Sequence, residues 1–175
     1  MSKMTIAEVN ALSPEDFVAR FGFLFEHSPW VAERAAADRP FETLGAMHAA
    51  LARTLFFADD TQKLAVFRAH PRLADKAAIA AGLTRESASE QASAGLDSLT
   101  PEEFEQFSAL NAGYDARFGF PFIIAVRAAG GKAGVLKAMA ERLANPEAEE
   151  RRAALDEVVK IVGLRLQDIV EGELG

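Results

Sequence analysis

The sequence predicts an all-α fold, one compact domain of about eight helices over residues 1–175 with its core at 10–170. Three observations predict it. Helix-start signals recur along the chain, apolar residues return at spacings of three and four, and the alternation of a half-buried strand is nearly absent.

The elements follow in order. Ser13-Pro14-Glu15-Asp16 is a start signal: a side-chain acceptor, proline at the first helical position, then carboxylates at the positive end of the dipole. Ser28-Pro29-Trp30 reads as a second start. Arg39-Pro40 ends that helix, because the residue before proline is pushed out of the α region. Helical spacing fills 44–57 and 62–69, and His70-Pro71 closes the second of these. Thr84 reads as an N-cap. Thr100-Pro101-Glu102-Glu103 opens a helix with apolar spacing over 104–114. The stretch FPFIIAVR, 120–127, reads as extended or mixed. Gly130-Gly131 and Asn145-Pro146 are breaks, the latter also a helix start, and 155–170 is the last helix. No internal repeat or linker interrupts this order.

Composition narrows the function classes. Half of the residues are apolar and 26% are charged, as in a soluble globular protein. The net charge of −7 argues against nucleic acid and against an anionic membrane as partners. It leaves room for a small anionic substrate in a locally positive pocket. No run approaches the roughly 20 apolar residues of a membrane span. The start MSKMTIAEVN lacks a secretory h-region, and EGELG is not a peroxisomal address. The absence of cysteine excludes disulfides, thiolate metal sites and a cysteine nucleophile, and fits a reducing cytoplasm. His27, His48 and His70 show no metal-binding spacing, so no metal is expected. No G-x-S-x-G, Walker A or G-x-G-x-x-G occurs. Apolar helical faces suit a monomer or a homodimer equally.

Four groups of residues stand out. Arg165 lies at the edge of the stripe Leu155, Val158, Val159, Val162, Leu166 and Ile169. A guanidinium there needs an anion or must snorkel: a structural ion pair or a clamp on a substrate carboxylate. His70, at a helix C-terminus, is either a cap or a general acid–base. Ser87, Glu90 and Gln91 share one helix face, which is either a solvated capping box or a small binding surface. The rings around Gly119 and Pro121 in NAGYDARFGFPFIIAVR are core packing or a pocket wall.

Taken together, FEHSPWVAERA with RPF, AHPRLA, SASEQASAGL, LNAGYDARFGFPFIIAVR and KIVGLRL resemble the 2-oxo-4-hydroxy-4-carboxy-5-ureidoimidazoline (OHCU) decarboxylase family in order and spacing, over roughly residues 10–170. The resemblance implies an all-α fold and the last step from urate to allantoin, releasing (S)-allantoin and CO2 with neither metal nor organic cofactor. It implies that His70 and Glu90 are catalytic. It implies that Pro71, Ser87, Gln91, Phe122, Ile123, Ile124, Ala125, Val126 and Arg165 bind substrate, while Glu26, His27 and Trp30 pack and cap a helix beside the pocket, outside the site. One departure is Arg72, where the family usually carries an acid; it changes the charge beside His70. Rival readings are a non-enzymatic helical interaction module and a hydrolase or racemase acting on another ureide.

Overall fold

A computed structural model describes residues 2–75 and 82–174. The single domain expected over 1–175 also includes residues 1, 76–81 and 175, which lie outside the described residues. The chain is all-α. Nine α-helices occur among the described residues: α1 Ile6–Ala11, α2 Pro14–Phe21, α3 Trp30–Ala35, α4 Leu44–Phe56, α5 Asp60–Ala69, α6 Arg85–Ser93, α7 Pro101–Phe118, α8 Gly131–Arg142 and α9 Glu147–Ile169. Sheet pairing among them is limited to one isolated bridge, Met4 with Val170.

The helix starts follow the expected chemistry at three places. Ser13 accepts from Asp16 N and Thr84 from Ser87 N. Thr100 and Glu103 close a full capping box with Pro101 at the first turn. Two starts differ. The Ser28 hydroxyl donates to Glu26 O at 3.0 Å instead of accepting from α3. The Asn145 amide donates to Glu150 Oε2 at 2.8 Å, so its side chain serves a buried carboxylate. Helix α1, capped by Thr5 and Glu8, is an element the apolar spacing does not announce.

Contacts gather the chain into two compact units. The first takes the residues up to Ala69 and those from Val158 onward. In it α2, α3 and α4 pack together around fully buried Phe17, Phe21, Val31, Met47 and Leu51. Each buried ring of this kind contributes roughly 1.5–3 kcal/mol. Asn10 and Phe41 exchange two 2.8 Å hydrogen bonds, which tie α1 to the chain after α3. The His48 ring donates to Val159 O at 2.8 Å. An added Cβ at Gly163 would stand 3.1 Å from the ring nitrogen and 2.8 Å from Leu174 Cδ1, so a larger residue there would push both side chains aside.

The second unit is His70–Glu157. Its core is aromatic. Tyr114 lies 4.6, 5.7 and 5.3 Å from the Phe118, Phe120 and Phe122 rings, centroid to centroid. Helix α7 stops between the first and second of these rings because Gly119 takes φ 72° and returns its amide to Asp115 O. The chain then passes through residues 121–125 without regular secondary structure before a 3-10 turn at Val126–Ala128. Lys132 and Thr100 both bond Glu103, and they hold its carboxyl below the usual carboxylate range.

Candidate active site

Three stretches of the second unit carry the residues singled out in the sequence. The first follows α5. His70 is 8% exposed, Pro71 is half-buried, and Leu73 and Ala74 are buried. Ala74 sits at φ 55°, a left-handed conformation that alanine seldom takes.

The second stretch is α6. Because Thr84 caps this helix, Ser87 and Glu90 lie inside it and do not form its capping box. Ser87 and Gln91 are each 5% exposed and Glu90 is half-buried, so this face turns toward protein rather than water. Gln91 Oε1 accepts the Ala74 amide at 3.0 Å, which joins α6 to the His70 stretch. Gln91 Nε2 is buried and has no hydrogen-bond partner among the described residues. A buried amide donor in that state costs free energy until something accepts from it.

The third stretch is 122–126, and α6 packs against the 3-10 turn that ends it. Phe122, Ile123, Ala125 and Val126 are buried, and Ile124 is half-buried. Two backbone groups are already engaged. Ile123 O accepts from Arg142 Nη1 at 2.8 Å, and Ala125 N donates to Glu157 Oε2 at 2.7 Å. Arg142 also lies over the Phe122 ring at 4.4 Å.

Arg142 is itself held by a fully buried carboxylate. Glu150 Oε1 accepts from Arg142 Nε at 2.9 Å and Nη2 at 2.5 Å, and from the Tyr114 hydroxyl at 2.5 Å. Burial, then the hydrogen bond to Glu150, pushes the Tyr114 phenol above its ordinary range. Sequence reasoning missed Arg142 and Glu150, which hold Ile123 of the 122–126 stretch, and Asn111, whose Nδ2 donates to Leu73 O at 2.9 Å in the His70 stretch. A signal existed for Glu150: it stands four residues before Ala154 and eight before Val158, on the apolar side of α9. Asn111 offered a similar one, four residues after Phe107 within α7.

Arg165 belongs to the first unit. Its guanidinium is buried, and Nη1 lies 3.3 Å from Phe23 O, Leu24 O and Glu26 Oε2. Glu26 is 3% exposed, so this is a buried ion pair, and Glu26 does more than pack beside a helix. Arg72 pairs with Asp115 and lies 3.6 Å from Asp75. Half-exposed pairs of this kind contribute about 0–1 kcal/mol.

No helix among the described residues is long and apolar enough to cross a membrane. A family model described as OHCU decarboxylase matches residues 10–167. A 2-oxo-4-hydroxy-4-carboxy-5-ureidoimidazoline decarboxylase of Haloferax volcanii is 42% identical over 99% of this chain and 100% of its own length. Among solved structures, (S)-allantoin synthase superposes with a TM-score of 0.77 at 30% identity. That match covers 95% of this chain, which spans 54% of the synthase chain. An OHCU decarboxylase in the presence of (S)-allantoin superposes at 0.65 with 25% identity, over 79% of this chain and 89% of that one.

Proposed function

The chain belongs to the OHCU decarboxylase family, and on that premise we propose how its residues carry the reaction. It is a carboxy-lyase of urate degradation, converting 2-oxo-4-hydroxy-4-carboxy-5-ureidoimidazoline to allantoin and CO2. The finer assignments below are ours: a single (S) product, action in the cytoplasm as a monomer or homodimer, and a partner set limited to this small molecule.

The substrate carries a carboxylate and a hydroxyl on one ring carbon, and the neighbouring ring carbon is double-bonded to nitrogen. When the carbon–carboxylate bond breaks, its electron pair moves into that C=N system. The ring is therefore its own electron sink, which removes the need for a pyridoxal or thiamine group. Two proton movements complete the change. The hydroxyl loses its proton as the carbon becomes a carbonyl, and the adjacent carbon gains one. His70 and Glu90 handle these two protons. A donor fixed on one side of the ring delivers to one face and makes one enantiomer.

Gln91 carries this reading furthest. Its oxygen is committed to Ala74 while its buried Nε2 has no partner among the described residues, so it presents a donor to a substrate oxygen. Ser87 and the 122–126 backbone take the remaining ring and ureido groups. Arg165 takes an anionic oxygen of the substrate, as the resemblance implies, with Glu26 orienting its guanidinium.

The direct test generates the substrate in situ from urate with urate oxidase and hydroxyisourate hydrolase, then follows CO2 release. Addition of this protein accelerates release well beyond the spontaneous rate. Release at the same rate with and without the protein would overturn the proposal.

A further inference from the structure

We propose that Asn111, a residue of α7 to which the family resemblance gives no role, is a positioning residue that sets the conformation of the stretch carrying His70. This rests on the reading of His70 as a proton-transfer group. Asn111 is buried, and its Nδ2 donates to Leu73 O at 2.9 Å across 38 positions of sequence. The next residue, Ala74, is at φ 55° and donates its amide to Gln91 Oε1 at 3.0 Å. Both polar groups of one peptide unit, Leu73–Ala74, three to four residues after His70, are therefore gripped by side chains from two different helices.

The grip has a conformational consequence. Alanine leaves the left-handed region when nothing holds it there, because its Cβ crowds the backbone. The strained residue persists because the surroundings over-determine it. Asn111 and Gln91 together fix the plane of the Leu73–Ala74 peptide, one through its C=O and the other through its N–H, and that plane is one side of the Ala74 φ rotation. Arg72 and Asp115 add a third tie one helical turn beyond Asn111, at the half-exposed edge. Losing the Asn111 donor leaves Leu73 O buried without this partner and releases Ala74 toward ordinary backbone angles. The chain from Pro71 to Ala74 then turns, and the imidazole moves with it. A displacement of about 1 Å in a catalytic group can cost on the order of 10²-fold in rate.

The test combines Asn111→Leu, Ala74→Gly and the double variant. Asn111→Leu keeps the branched shape and the heavy-atom count and removes the donor. It lowers kcat at least tenfold per folded molecule and changes KM less than threefold. Ala74→Gly alone keeps kcat within twofold, since glycine accepts φ 55° freely. In the double variant glycine restores much of the lost kcat, because the gripped conformation no longer strains residue 74. A purely structural role for Asn111 lowers the melting temperature, leaves kcat within twofold and shows no recovery with Gly at 74; that pattern overturns the proposal. If Asn111→Leu fails to fold, Asn111→Ser is read by the same criteria.

A second readout needs no turnover. The Ala74 amide exchanges with solvent at least tenfold faster in the Asn111 variant, while amides within α7 keep their rates. Unchanged Ala74 exchange overturns the grip even in an active enzyme. Faster exchange in the variant, together with a wild type that decarboxylates nothing, would instead sink the assigned reaction and leave the grip standing.

Discussion

Arg142 and Glu150 form a buried ion pair whose two bonds, 2.9 and 2.5 Å, end on the same carboxylate oxygen. The pair is also the support for Ile123, whose carbonyl receives the remaining reach of the guanidinium. Removing the carboxylate strands a cation, a phenol and the Asn145 amide in the interior. Glu150→Ala therefore destabilises the protein by roughly 3–5 kcal/mol, as for other broken buried pairs. Urea unfolding followed by circular dichroism measures it, and a loss below about 1 kcal/mol would mean that water replaces the carboxylate.

Tyr114 gives a pH prediction with a clear sign. It is the only tyrosine in the chain, so absorbance at 295 nm reports it alone. Burial and Glu150 favour the neutral phenol, raising its pKa above the unfolded value of about 10. The stability tied to this shift is complete below that unfolded pKa and is lost as pH rises above it. The folded protein shows no tyrosinate signal through the range where a free tyrosine titrates, and the signal appears together with unfolding. Titration near the free value while the far-ultraviolet spectrum stays native would contradict the buried Tyr114–Glu150 bond.

Arg165 separates two roles by substitution. Arg165→Gln leaves Glu26 buried without its cation and costs roughly 3–5 kcal/mol of stability. Arg165→Lys keeps the charge and gives up the planar fork. If the guanidinium holds the substrate, the lysine variant folds and loses activity by tenfold or more. Full activity in a folded Arg165→Lys protein would leave only the ion pair with Glu26.

The helix pattern was legible because its causes are local. Ser13, Thr84 and Thr100 cap residues three positions away, and each lies next to the helix it starts. The all-α expectation, the odd histidine, the 87/90/91 face and the buried arginine all rest on such short-range patterns. What stayed hidden depends on partners that neither a cap signal nor a helical period names. Ser28 and Asn145 look like caps, but nearby groups claim their side chains: a carbonyl in one case, a buried carboxylate in the other. Asn111 finds Leu73 across 38 residues, and Ala125 finds Glu157 across 32. No helical period announces those pairings. Arg165 was legible as a charge in need of a partner; that the partner is Glu26 was not, because 139 residues separate them.

His70→Asn tests the proton-transfer assignment. Asparagine fills the site and still hydrogen-bonds, but it neither gains nor gives up a proton at neutral pH. Catalysed decarboxylation falls by roughly 10²–10⁴-fold, with the melting temperature close to that of the wild type. Near-normal turnover in the folded variant would remove His70 from the chemistry.

The most direct measurement is the handedness of the product. Substrate generated from urate decays spontaneously to a racemate, whereas a proton donor fixed in the site reaches one face of the ring. With this protein present, chiral chromatography or circular dichroism shows (S)-allantoin alone, formed faster than in the blank. Equal amounts of both enantiomers, appearing at the spontaneous rate, would contradict the account.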